Sequence, residues 1–153
     1  MTLCLNDGGR AGAGYRGKAG DCVCRAVAIA TGQPYSDVYG ALNTFAELER
    51  PGTKRGSRRR SSARAGIRKE TCRRYLKSLG WRWVPTMGIG TGCRVHLRAD
   101  ELPPGRLLIQ LSRHMTAVID GCIHDTHDPS RGGTRCVYGY WLPPVGGFDR
   151  VSP

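Results

Sequence analysis

Residues 114–128 read HMTAVIDGCIHDTHD, two short, largely apolar runs on either side of Asp120-Gly121. Asp-Gly between such runs signals a two-residue hairpin, because both central positions of a type I′ turn need positive φ. A turn of that length pairs Ile119 with Cys122, and by extension Thr116 with Asp125 and His114 with His127. His114, Asp125 and His127 then share one face, with Asp125 the diagonal neighbour of His114. A turn one residue longer would put Asp128 in that place, so the choice between the two aspartates depends on turn length.

Further strand patterns surround the hairpin: WRWVPT at 81–86, RLLIQLS at 106–112 and TRCVYGYWLP at 134–143. The tryptophans Trp81, Trp83 and Trp141 belong to these runs and are expected mostly in the core. The first half reads as helices. GDCVCRAVAIATG at 20–32 is a small, apolar helix with Asp21 as N-cap and Gly32 as stop. SDVYGALNTFAELER follows, with Val38, Leu42, Phe45 and Leu48 at helical spacing. GIRKETCRRYLKSLGW gives a third helix, with Ile67, Cys72, Tyr75, Leu76 and Leu79 inward and Gly80 as its end. Residues 6–21 are too rich in glycine for regular structure and read as an arm packed over something else. Helices first and strands later predict an α+β fold, with the Cys22 helix packed on a C-terminal antiparallel sheet. At 153 residues the chain is expected to be a single domain, 1–153.

The formal charge of +12 is concentrated. Between Arg50 and Lys77 there are twelve Lys and Arg and one acid, Glu70, so this window carries +11. Its centre, about 51–66, has almost no apolar residues and is expected to be a flexible, exposed loop. The N-terminal residues show no secretory pattern and no window is apolar enough to span a membrane, which predicts a cytoplasmic protein. Seven cysteines, an odd number at irregular spacing, then read as reduced thiols. Cys72, Cys93 and Cys136 are expected in core or half-buried positions.

Cys22 is the first residue of its helix, where unpaired N–H groups and the positive end of the helix dipole favour a thiolate. Cys24 lies about 200° further round the helix and cannot share that role. A thiol there and an imidazole on a strand make a nucleophile and base, with His114 taking the Cys22 proton and Asp125 holding the ring.

GDCVCRAVAIATG, RHMTAVID and IHDTHDP together resemble the papain-like cysteine peptidase superfamily, and most of all the bacteriocin-processing peptidases. There an Asp-Cys pair opens the helix and an Asp-Pro follows the histidine strand. The chain as a whole is also similar to small proteins encoded by tailed bacteriophages and prophages, which implies the host cytoplasm. The resemblance implies a papain-like fold and a peptidase, isopeptidase or amidase acting on a protein or peptide, with Cys22, His114 and Asp125 as the catalytic set. The family places a glutamine shortly before the cysteine to help form the oxyanion hole, where this chain has Arg16. The second oxyanion donor is then sought among Arg16, Lys18 and Asn6.

Other chemistries compete. Cys93-x-x-His96, Cys122-x-His124 and His127 offer enough sulfur and nitrogen for zinc, but lack the paired knuckles of a zinc ribbon, so neither metal nor cofactor is expected. The basic 50–77 segment, with Arg55, Arg58, Arg59, Arg60 and Arg64, could bind nucleic acid without sequence preference or steer an acidic partner towards the cleft. It has no aromatic side chain among its loop arginines to stack on bases. A third reading keeps the fold without the chemistry, as an inactive peptidase-like binding or inhibitory protein.

Overall fold

The computed structural model describes residues 1–50 and 60–146, which form a mixed α+β fold. Helices α1 (Cys22–Thr31), α2 (Tyr35–Glu47) and α3 (Lys69–Ser78) precede most of the sheet. Its strands are β1 (Thr2–Leu5), β2 (Arg82–Pro85), β3 (Arg106–Leu111), β4 (His114–Ile119), β5 (Cys122–Asp125) and β6 (Gly139–Leu142). They lie in the order β1-β5-β4-β3-β6-β2. No described helix is long and apolar enough to cross a membrane.

The predicted turn is present, with φ of 46° at Asp120 and 78° at Gly121. It pairs Ile119 with Cys122 and Ala117 with His124, the register expected of a two-residue turn. The sheet departs from the expected antiparallel one at its edge. Thr2–Leu5 adds a strand parallel to Cys122–Asp125, within a segment that carries no hairpin signal.

Both faces of the sheet are covered. Leu108, Met115, Ala117 and Trp141 pack against the helices, including Val27, Leu42 and Leu76. Leu107, Ile109, Leu111, Val118 and Ile123 point the other way, as strand alternation requires, and pack with Leu97 and Val137. Leu97 comes from the long irregular connection between β2 and β3, which Cys93 and Cys136 tie down with a disulfide. The expectation of free thiols at these two positions is therefore wrong. The bridge closes a loop with a sequence separation of 43, which restricts the unfolded chain.

Helix α1 ends as expected, with Gly32 in the left-handed region at φ 72° and its N–H bonded to the Ala28 carbonyl. Its start differs, because Asp21 makes no cap hydrogen bond and is almost wholly buried, 1% exposed. In α2 the inward row is Tyr35, Val38, Leu42 and Ala46, while Leu48 is 65% exposed just beyond the last turn. Helix α3 begins at Lys69, not Gly66, because Ser62 and Gly66 close a tight bridge ahead of it.

The expected flexible loop at 51–66 divides. Arg55, Arg58 and Arg59 lie outside the described residues. Residues 60–66 are anchored, with Ala63 buried and its N–H bonded to Asn43 Oδ1 at 2.9 Å. Buried Glu49 accepts from the Ser61 N–H at 2.9 Å and the Thr71 hydroxyl at 2.5 Å, and holds the incoming chain against α3.

Thiol counting tests the disulfide. Under denaturing, non-reducing conditions the two bridged cysteines, Cys93 and Cys136, should not react while the five free ones do. Reduction should destabilise the fold by about 2–4 kcal/mol, read as a lower Tm.

Candidate active site

The first residue of α1 places the Cys22 thiol beside the start of β4. There it lines one cleft with His114 and Met115, close enough for the imidazole and the Met115 N–H to act on the thiol. The His114 Nε2 lies 2.7 Å from Asp125 Oδ2. With Nε2 engaged by the carboxylate, Nδ1 is left for the sulfur.

Asp125 is 4% exposed and also accepts the Thr126 N–H on Oδ1 at 2.7 Å. Asp128, the other aspartate considered, turns to cap the Ser130 N–H at 2.8 Å. His127 is largely exposed, with its ring centroid 5.2 Å from that of His114. The short turn is what selects Asp125.

Charges move these groups in opposite directions. Burial alone would raise the Cys22 thiol, but hydrogen bonds from His114 and Met115 and the charges of His114 and Arg25 more than offset it, holding it below the usual thiol value. Burial works against the His114 cation too, yet its bonds to Asp125 and Cys22 raise it to about 9. Burial would raise Asp125, but the His114 contact keeps it low. Lowering the thiol and raising the imidazole both move the pair towards thiolate and imidazolium.

Arg25 was missed in the sequence. It lies on α1, one turn beyond Cys22, and its guanidinium meets Asp21 Oδ1 on one side and Asp125 Oδ1, at 3.9 Å, on the other. Asp21 also receives the Tyr35 hydroxyl at 2.6 Å and faces Arg10 Nε at 3.2 Å. The expected N-cap is thus the anchor of a buried ionic cluster, which explains why its carboxylate is not on the helix end. The signal was a lone arginine in the apolar run CVCRAVAIAT, since a buried cation needs an anionic partner.

The glycine-rich arm delivers Arg10 by packing on α1. A Cβ at Gly8, where φ is 70°, would come within 2.9 Å of the Arg25 carbonyl oxygen. Gly20 is equally constrained, because a Cβ there would meet the Ala65 carbonyl at 2.9 Å. That close approach brings Ala65, Gly66 and Ile67 to the wall of a cleft of about 520 Å³ that opens on Cys22 and His114.

None of the expected oxyanion donors lines this cleft. Asn6 caps the Gly8 N–H at the far edge of the sheet, and exposed Arg16 and Lys18 offer their carbonyls to Arg64 at 3.3 and 3.4 Å. Arg64 is therefore tied to the arm, while Arg60 is exposed. Gln110 lines the cleft, but its Nε2 donates to the Leu111 and His114 carbonyls. The start of α1, uncapped by any described side chain, leaves its own N–H groups beside the sulfur.

The zinc set considered from spacing does not assemble, since Cys93 is bridged to Cys136. Cys122 and His124 instead meet Cys4 across the β1–β5 pair, their ligand atoms within 4.8 Å. The Cys4 and Cys122 sulfurs are 2.7 Å apart. Two thiolates on one tetrahedral zinc, at bonds of about 2.3 Å, stand roughly 3.8 Å apart. The Cys4–Cys122 separation is shorter than that spacing.

Iodoacetamide should modify Cys22 well ahead of the other thiols at neutral pH, with the rate falling as pH drops through its depressed pKa. Arg25→Gln should slow that labelling at neutral pH by removing one of the charges that lower the thiol. Peptide mapping of the alkylated protein against pH reads both effects. Compared with protein-family models, curated proteins and solved structures, the chain matches none of them.

Proposed function

We propose that this protein is a cysteine hydrolase of papain-like organisation, acting on an amide, isopeptide or thioester carbonyl. The observation that supports it is the 2.7 Å contact of His114 Nε2 with Asp125 Oδ2 in the cleft that His114 shares with the Cys22 thiol. Each member is shifted in the direction its task needs: a lowered thiol, a raised imidazole and a lowered carboxyl.

The Cys22 thiolate attacks the carbonyl carbon, forming a C–S bond as the carbonyl π electrons move to oxygen. The oxyanion sits against the N–H groups at the start of α1, and Arg16, Lys18 and Asn6 take no part. As the tetrahedral adduct collapses, His114 Nδ1 gives its proton to the leaving amine, and the C–N bond breaks. Neutral His114 then takes a proton from water, which attacks the thioester; the acid departs and the thiolate–imidazolium pair is restored. Asp125 stays ionised throughout and keeps the ring oriented.

An activated ester that acylates thiols, p-nitrophenyl acetate, tests the reading. Intact-mass and peptide analysis should find a transient acetyl group on Cys22, absent in Cys22→Ala. His114→Ala should slow acylation on the order of 10²–10⁴-fold. Amide turnover should fall as pH rises through about 9, where His114 loses the proton it must donate. Acetylation spread over several nucleophiles, untouched by either substitution, would leave an inactive scaffold as the better description.

A further inference from the structure

Beside the Cys22 cleft lies a second cavity of about 550 Å³. The two share Lys69, Cys72, Gln110 and Tyr138 in their linings, so the second space adjoins the cleft that holds the sulfur. The far side is apolar and aromatic, built from Trp83, Pro85, Met87 and Trp141. The indoles of Trp83 and Trp141 stand 5.2 Å apart, centroid to centroid.

Trp83 is held in place by its neighbour across the sheet. A Cβ at Gly139 would fall 2.4 Å from the Trp83 ring, and this glycine has no positive φ to explain its presence. Its missing side chain gives the indole room to lie over β6, forming one face of the cavity. Indole surface left half-exposed here, not buried with Trp81 and Trp141, is apolar area available to a ligand.

Charge narrows the choice of ligand. Lys69 and Arg73 occupy the same face of α3 at i and i+4, and both line the cavity. Lys69 Nζ stands 5.6 Å from the Tyr138 ring centroid, and among the described residues neither cation is ion-paired with a carboxylate. Two unneutralised cations at the mouth of an aromatic cavity complement an anion attached to an apolar group.

We propose that this cavity is the specificity subsite of the hydrolase, taking an aromatic side chain of the substrate whose adjacent carboxylate lies on Lys69 and Arg73. The assignment of a substrate rests on the acyl-transfer reading of Cys22, whereas occupancy of the cavity by such a group does not.

Chloroacetamides separate the two, because the Cys22 thiolate displaces chloride from each to form a thioether. Labelling rates would be measured for N-chloroacetyl-phenylalanine, its C-terminal amide and N-chloroacetylglycine, each divided by the reagent's rate with glutathione. The phenylalanine acid should exceed the glycine reagent roughly tenfold or more. It should also exceed its own amide, and Lys69→Glu, a change in the first turn of α3 that its helix dipole tolerates, should reverse that acid-over-amide order. Binding alone is read in Cys22→Ala, where N-acetyl-phenylalanine should shift the indole NMR signals of Trp83 and Trp141. Indole shifts without Cys22 reactivity in the parent protein uphold the subsite and sink the hydrolase reading. Ratios near one and unmoved indoles, with iodoacetamide still singling out Cys22, overturn the subsite and leave the hydrolase reading intact.

Discussion

A two-residue turn sets the geometry on which the candidate site depends. Both Asp120 and Gly121 hold positive φ, and the turn is closed further by the Asp120 carboxylate accepting the Gly105 N–H at 2.9 Å. With Ile119 opposite Cys122, the end of β5 arrives beside the beginning of β4, where Asp125 reaches His114. One more residue in the turn would exchange the faces of β5, because side chains alternate along a strand. The carboxylate at His114 is thus selected by backbone geometry several residues away.

A second constraint holds the helix to that strand pair. Asp21 and Asp125 are each nearly inaccessible to water, and isolated carboxylates in such places would be strongly unfavourable. Arg25 lies between them, with Arg10 and Tyr35 completing the shell around Asp21. Removing one member of a buried ionic group leaves its partners uncompensated, so the cluster sets the position of α1 relative to β5 even if its net contribution to stability is small. That position decides where the Cys22 sulfur stands. The arm of residues 6–21, irregular in itself, is held by the same cluster through Arg10 and by the close approach of Gly8 to α1.

Much of this was legible in the chain because the informative features are local. Asp120-Gly121 announces its own turn, Gly32 its helix end, and the first-turn position of Cys22 its environment. What stayed hidden is non-local or depends on burial. Strand β1 pairs with β5 in parallel, joining segments with no connecting turn to betray them, and Cys4 meets Cys122 only for that reason. Asp21 carries a cap residue's identity, but buried cations compete for its carboxylate and win. The bridge between Cys93 and Cys136 looked improbable from an odd cysteine count, yet an odd count excludes only a fully paired set. Arg16, Lys18 and Asn6 were chosen by proximity in sequence, and the arm's path carries them away from the cleft.

Comparison among the free cysteines shows how much the site owes to its surroundings. Cys24 and Cys72 are buried thiols, and burial pushes each up to about 12. Cys22 experiences the same penalty as its largest single influence, yet it ends below the ordinary thiol value. Desolvation therefore does not separate the three. The difference at Cys22 is the set formed by the His114 ring and the Met115 N–H; the Arg25 charge lowers Cys24 as well, where Asp21 opposes it. Cys72 shares the wall of the Cys22 cleft but lacks that set, and a negative charge on Cys22 raises it further. One thiolate in the cleft thus disfavours a second, which leaves a single nucleophile where two sulfurs line the same space.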